Sequence, residues 1–298
     1  MNSPIIKQRE NVEVNWYRLS TNLNAIHILE HNLDKVDLNI LSENPNATHL
    51  LDQRNLKKLE WIYLSMNPNA ISILECNQDK ISWYWLSMNP NATSLLEQNL
   101  DKINWKYLSG NPNAISILEK NMDKVNWSYL SKNPNAISIL EKNLDKINWS
   151  MLSENPNAIP ILKKNMDKVD WTYLSKNPNA ISILEKNIDN IDWFYLSANP
   201  NAIHILEQNL DKIIWSYLSK NPNAIHILEQ NLDKVSWNWL SGNPNATHLL
   251  FTYDYEAMKQ QLQPFAEELA SFAFHPDRLI RICEKYKMEF HEYVEIIG

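Results

Sequence analysis

Apolar and polar positions follow one fixed grammar along most of the chain. From Trp127 to Asn148 it reads WSYLSKNPNAISILEKNLDKIN, and Trp149 begins it again. Trp16, Trp61, Trp83, Trp105, Trp127, Trp149, Trp171, Trp193, Trp215 and Trp237 open successive copies, with Leu38 in the tryptophan slot once. That makes eleven copies of 22 residues, ending near Leu250, with one extra residue near Gln53–Leu56. A period in this range marks an array of stacked supersecondary units.

Within a copy the pattern predicts two short helices. Asp123 is suited to cap the first, and Val125, Trp127, Tyr129 and Leu130 form its apolar stripe. Asn133-Pro134 ends it, because the residue before proline is driven out of the helical region. Asn133 then reads as the next cap, with Pro134 at the first helical position. Ala136, Ile137, Ile139 and Leu140 share one face of the second helix, and Asn143 ends it as an expected left-handed residue. Helices of about eight or nine residues are marginal alone, so each copy must stack on its neighbours. The expected fold is all-α: an α-solenoid of about eleven short helical hairpins with a helical C-terminal cap. At about 8–10 Å per layer it would form a curved rod roughly 100 Å along its arc.

The expected organisation is a polar lead-in at 1–15, the solenoid at 16–250 and the cap at 251–298. Leu23 for proline, Leu38 for tryptophan and Lys57 for the capping Asp read as worn end copies, and Pro160 predicts a local irregularity in its helix. After Leu250 the text changes. Tyr255–Ser271, a segment from His275-Pro276, and Glu289–Ile297 read as helices. They would cover the apolar end of the last copy, or form a separate effector module docked on it.

Composition narrows the function. The net charge is −7, and the pI of about 5.6 argues against a general nucleic-acid binder. Met1–Val14 holds no apolar signal core and no run is long enough for a membrane span, so the expectation is a protein that is not secreted and has no membrane partner. Two cysteines, Cys76 and Cys283, exclude a disulfide framework and suit a reducing, intracellular compartment. With three glycines and no HExxH or G-x-S-x-G, neither a phosphate loop nor a catalytic constellation is legible. The expectation is a non-enzyme with no cofactor, no metal site and no catalytic residue.

Four column readings follow. Trp61, Trp83, Trp105, Trp127, Trp149, Trp171, Trp193, Trp215 and Trp237 read as structural core, the alternative being a ladder on which bases stack. The column of Tyr63, Trp85, Tyr107, Tyr129, Tyr173, Tyr195, Tyr217 and Trp239, interrupted by Met151, fits either inter-repeat packing or a recognition stripe. His27, His49, His204, His226 and His248 share one column at a spacing too wide for a shared metal ion. They read as surface residues, or as a pH-sensitive patch at His204, His226 and His248. The Lys and Glu columns, Lys80 to Lys234 and Glu75 to Glu229, read as solvated faces or inter-repeat pairs. Specificity belongs to the variable columns, where Ile62, Met66, Met88 and Phe194 are exposed apolar candidates for partner binding, joined by His204, His226 and His248.

The repeat DKINW-x-YLS-x-NPNAI-x-ILE-x-N resembles the tandem repeats of proteins of the giant viruses, the large nucleocytoplasmic DNA viruses. The C-terminal text YDYEAMKQ…EELASFAFHPDRLIRICEKY, with its Phe274–Arg278 run, is similar to the tail that closes those arrays. The resemblance implies a virus-encoded, intracellular protein of the host cytoplasm, nucleus or virion, with a protein-binding or structural role and no catalytic residues. The leading expectation is a scaffold binding another protein, host or viral, as an adaptor. The rivals are a virion or virus-factory component that self-associates and, last, a nucleic-acid reader.

Overall fold

The computed structural model describes residues 6–51, 59–263 and 275–286. They are mostly helical, and they divide into two units: Arg9–Leu250, and Met1–Gln8 together with Phe251–Gly298.

The repeat unit is tighter than the sequence pattern suggests. In the copy opened by Trp127, the first helix (helix A) is Trp127–Lys132 and the second (helix B) is Ile137–Glu141, followed by a 3₁₀ turn at Leu144–Lys146. The cap of helix A is Asn126, whose side chain accepts from the Tyr129 N–H, rather than Asp123, which lies in the preceding turn at Met122–Lys124. Asp170 and Asp192 fill the same capping slot in later copies. The side chain of Asn133 accepts from the Asn135 N–H at 3.0 Å and so closes the Asn-Pro-Asn turn, while helix B itself starts three residues later behind Ala136. Asn143 is not left-handed: its φ is −139° and its ψ 49°. Its Nδ2 donates to Ile139 O at 2.9 Å and covers a helix-end carbonyl that way.

The core is made of small and branched residues. Leu130, Ala136 and Leu140, with Ser131 and Asn133, are wholly buried, and their equivalents recur around the array. The tryptophans belong to the margin of this core, which corrects the expectation that placed them inside it. Trp61, Trp83, Trp105, Trp127, Trp149, Trp171, Trp193, Trp215 and Trp237 are all half-buried. A lysine from the following turn stands 4.6–5.0 Å from the ring centre at Trp16, Trp61, Trp83, Trp105, Trp127, Trp149, Trp193 and Trp215. The lysine column therefore stacks on rings rather than pairing with the glutamate column.

Buried polar groups join one copy to the next. Asn133 Nδ2 donates to Ser109 O at 3.0 Å and to Asn111 O at 2.9 Å, both in the copy before, and Asn135 Nδ2 donates to Pro112 O. The N–H of Asn148 donates to Ser131 Oγ, which donates in turn to Trp127 O. Among the described residues no buried side-chain polar atom lacks a partner.

The same bonds join the first copy to the last. Asn22 Nδ2 donates to Ser241 O at 3.3 Å and Asn243 O at 2.8 Å, Asn24 Nδ2 donates to Pro244 O, and the Asn15 N–H donates to Ser241 Oγ. Val14 is buried in the slot that Ile103 and Ile147 fill elsewhere. Copy one therefore rests on copy eleven as every other copy rests on its predecessor. A head-to-tail interface whose rotation closes makes a ring, at about 33° per copy for eleven copies. The expected arc of roughly 100 Å closes on itself, with a mean diameter of roughly 30 Å at 8–10 Å per layer.

Closure changes three expectations. The array is a ring rather than an open rod. It has no exposed end, so Leu23 and Leu38 are not end wear: Asn46 Nδ2 reads the Leu23 carbonyl, and a leucine side chain leaves that bond intact. The apolar end that a cap would cover is already covered by copy one. Pro160 also departs from expectation. It lies in the first turn of helix Ile159–Lys164, where no N–H donor is needed, and the helix runs on regularly.

In the second unit, strand β1 (Ile6–Gln8) pairs antiparallel with strand β2 (Phe251–Tyr253), and Lys7 lies 3.8 Å from Asp254. Helices follow at Tyr255–Leu262 and Pro276–Tyr286. The helix expected at Glu289–Ile297, the stretch 264–271 of the helix expected from Tyr255, the Gln53–Leu56 insertion and Lys57 lie outside the described residues.

Candidate interaction surface

Helix A turns three columns outward: the residue after each tryptophan, the aromatic residue after that, and the residue before each Asn-Pro. The aromatic column is half-buried, and Trp85, Tyr107 and Tyr129, and Tyr217 and Trp239, pack ring against ring between adjacent copies. Some of its neighbours in the other two columns are more open. Ile62 is 42%, Tyr84 44%, Met88 42% and Phe194 39% exposed, while Met66, expected to be exposed, is half-buried.

These columns gather into two aromatic groups. In the first, Tyr84 lies 4.4 Å from Tyr107 between ring centres, Tyr107 lies 5.4 Å from Tyr129, and Trp85 lies 5.8 Å from Tyr107. The hydroxyls of Tyr84 and Tyr107 share a hydrogen bond. That bond, and then burial, raises the Tyr107 pKa above the ordinary phenol value. In the second group, Phe194 lies 3.7 Å from Tyr217, and Tyr217 lies 6.0 Å from Trp239.

Cations interleave with the second group. Lys176 Nζ is 4.4 Å from the Tyr173 ring centre and 4.1 Å from that of Tyr195. Lys220 Nζ is 4.3 Å from Tyr217 and 3.5 Å from Trp239. Arg18, from the first copy, has its guanidinium 3.3 Å from the same Trp239 ring centre and donates to Asn238 Oδ1. Two cations this close to one ring centre must occupy opposite faces of it. Burial, and then the charge of Arg18, holds the Lys220 pKa below the ordinary lysine value.

The histidines lie elsewhere, on helix B. His204, His226 and His248 are exposed, and each bonds a glutamate of the preceding copy: Glu185, Glu207 at 2.7 Å and Glu229 at 2.9 Å respectively. His49 pairs in the same way with Glu30 at 2.9 Å. The sequence carried this signal as a histidine 19 residues after a glutamate. These contacts bridge copies at the surface and take His204, His226 and His248 out of the aromatic surface. Among the described residues no three His, Cys, Asp or Glu side chains stand together as a metal group, and no helix is long and apolar enough to cross a membrane.

Tyr84 and Arg18 were not singled out from sequence. Tyr84 could have been, as an aromatic beside Trp85. Arg18 could not, because it joins the aromatic column only once the first copy meets the last. No protein-family model, curated protein or solved structure matches the chain.

Proposed function

We propose that the ring is a non-enzymatic scaffold that holds another protein against the exposed face of helix A. The observation that carries this reading is the pair of aromatic groups, one flanked by Ile62, Tyr84 and Met88 and the other centred on Phe194. Large apolar and aromatic side chains held open to solvent on a rigid frame suit recognition of a protein surface, and aromatic residues are the usual anchors of such contacts. On the resemblance of the repeat, the protein is a virus-encoded intracellular adaptor and its partner a host protein. The rival reading, a virion or virus-factory component that self-associates, draws on the same exposed residues.

The test is to cross-link the purified full chain in lysates of infected and uninfected cells, beside the Met88→Asp and Phe194→Asp variants. Loss of the same cross-linked protein from both variants supports the scaffold. Cross-links only between copies of the chain, with sedimentation that depends on concentration, favour the structural rival. Unchanged capture by both variants would sink the assignment of this surface.

A further inference from the structure

The cations of the second aromatic group differ from Lys132, which shares with Lys176 and Lys220 the column before Asn-Pro. Lys132 pairs with Glu154 at 3.2 Å. Among the described residues, Lys176, Lys220 and Arg18 have no carboxylate within ion-pair distance and rest instead on aromatic rings. The acidic residues that begin helix A in these copies, Asp170 and Asp192, accept backbone N–H groups of their own helices. The arc is thus a local basic, aromatic patch on a chain whose net charge is −7.

We propose that this arc, formed by Lys176, Phe194, Tyr217, Lys220, Trp239 and Arg18, docks an extended acidic segment of a partner protein. The inference rests on the scaffold reading and names the partner's chemistry. Carboxylates of the segment take the three cations, and apolar side chains between them lie on Phe194 and Tyr217. A cation stacked on a ring keeps its outward N–H donors available, so a carboxylate adds to the stack rather than competing with it.

Geometry sets the spacing of the acids. Lys220 and Arg18, on opposite faces of Trp239, are about 7 Å apart, two residues of extended chain at about 3.3 Å each. Lys176 stands two copies before Lys220, and equivalent rings of adjacent copies on this face are 5.4–6.0 Å apart, so the two cations are about 11–12 Å apart, or about three to four residues. A single-stranded nucleic acid also seeks cations and aromatic rings, but it needs open ring faces on which bases can stack. Both faces of Trp239 are occupied, and the net negative charge of the chain opposes a long polyanion.

The test uses the full chain and a fluorescein-labelled heptapeptide, Glu-Leu-Ser-Leu-Glu-Phe-Glu, read by fluorescence anisotropy. Its Glu-to-Gln counterpart and a labelled oligothymidine are run beside it. The expected result is binding of the acidic peptide that weakens with salt and falls about fivefold or more in each of Lys176→Gln and Lys220→Gln, about 1 kcal/mol per contact. Lys132→Gln is expected to bind as the parent does, and circular dichroism confirms that each variant is folded. Equal binding of the Gln peptide, no binding by the parent, or tighter binding of oligothymidine would each overturn the inference. If Phe194→Asp still releases a cross-linked protein in that event, only the acidic partner falls and the scaffold stands.

Discussion

At the scale of single residues, the asparagines and tryptophans exchange the importance that their frequency suggests. Asn133 is wholly buried, and its amide serves three backbone groups, two of them in the copy before. Asn133→Ala leaves those groups to compete for partners in a dry interior, which is expected to cost about 3 kcal/mol. Asn135→Ala removes an exposed side chain with one such bond to a neighbouring copy and should cost under about 1 kcal/mol. Urea unfolding of the two variants measures the difference, and equal losses would refute the ranking. Trp149 is half-buried under Lys168, so Trp149→Ala should cost about 2 kcal/mol, below the 3–5 kcal/mol typical of a buried aromatic. A loss above about 4 kcal/mol in the same experiment would return the tryptophans to the core.

At the scale of elements, helices of four to six residues persist because little of their stability is their own. Helix A is capped by an asparagine or aspartate side chain in most copies and closed by an Asn-Pro-Asn turn, helix B starts behind an alanine with no side-chain cap, and serine and asparagine wire each copy to its neighbour. Pro160 fits this scheme, since its fixed φ suits a first turn and the missing N–H has no use there. Pro160→Ser, which installs the residue of five of the ten other copies, is therefore expected to lower stability by about 0.4–1 kcal/mol, through greater freedom of the unfolded chain. A rise in the thermal midpoint would mean that the proline is strained after all. The period, the two helices and the Asn-Pro break were all legible in the sequence, because turn chemistry and apolar spacing are local. The true cap of helix A was harder to see. Asp123 and Asn126 both suit a cap, and the choice falls to Asn126 because its own N–H meets Ser109 Oγ of the copy before, a contact no single copy contains.

At the scale of the whole array, closure was hidden for the same reason. Curvature is the angle between copies, set by many small contacts, and no residue type announces it. Arg18 takes the place of an aromatic residue in the first copy, and only the seam puts it on Trp239. A ring and an open solenoid respond differently to the loss of one copy. In an open array, excising 149–170 removes one unit and one interface, and the remainder keeps its geometry. In the ring, ten copies must each turn about 36° instead of about 33° to meet, against interfaces fixed by buried hydrogen bonds. The expected outcome is a seam that fails to form, leaving Asn22 without Ser241 and Asn243. The thermal midpoint should then fall well beyond one copy's share, and small-angle scattering should give a larger radius of gyration from a shorter chain. Asn22→Ala in the full chain should move both measurements in the same direction, since it cuts the same seam without changing the count. A ten-copy chain that is smaller than the parent and equally stable would mean that the interfaces set no angle, and that closure is incidental to the fold.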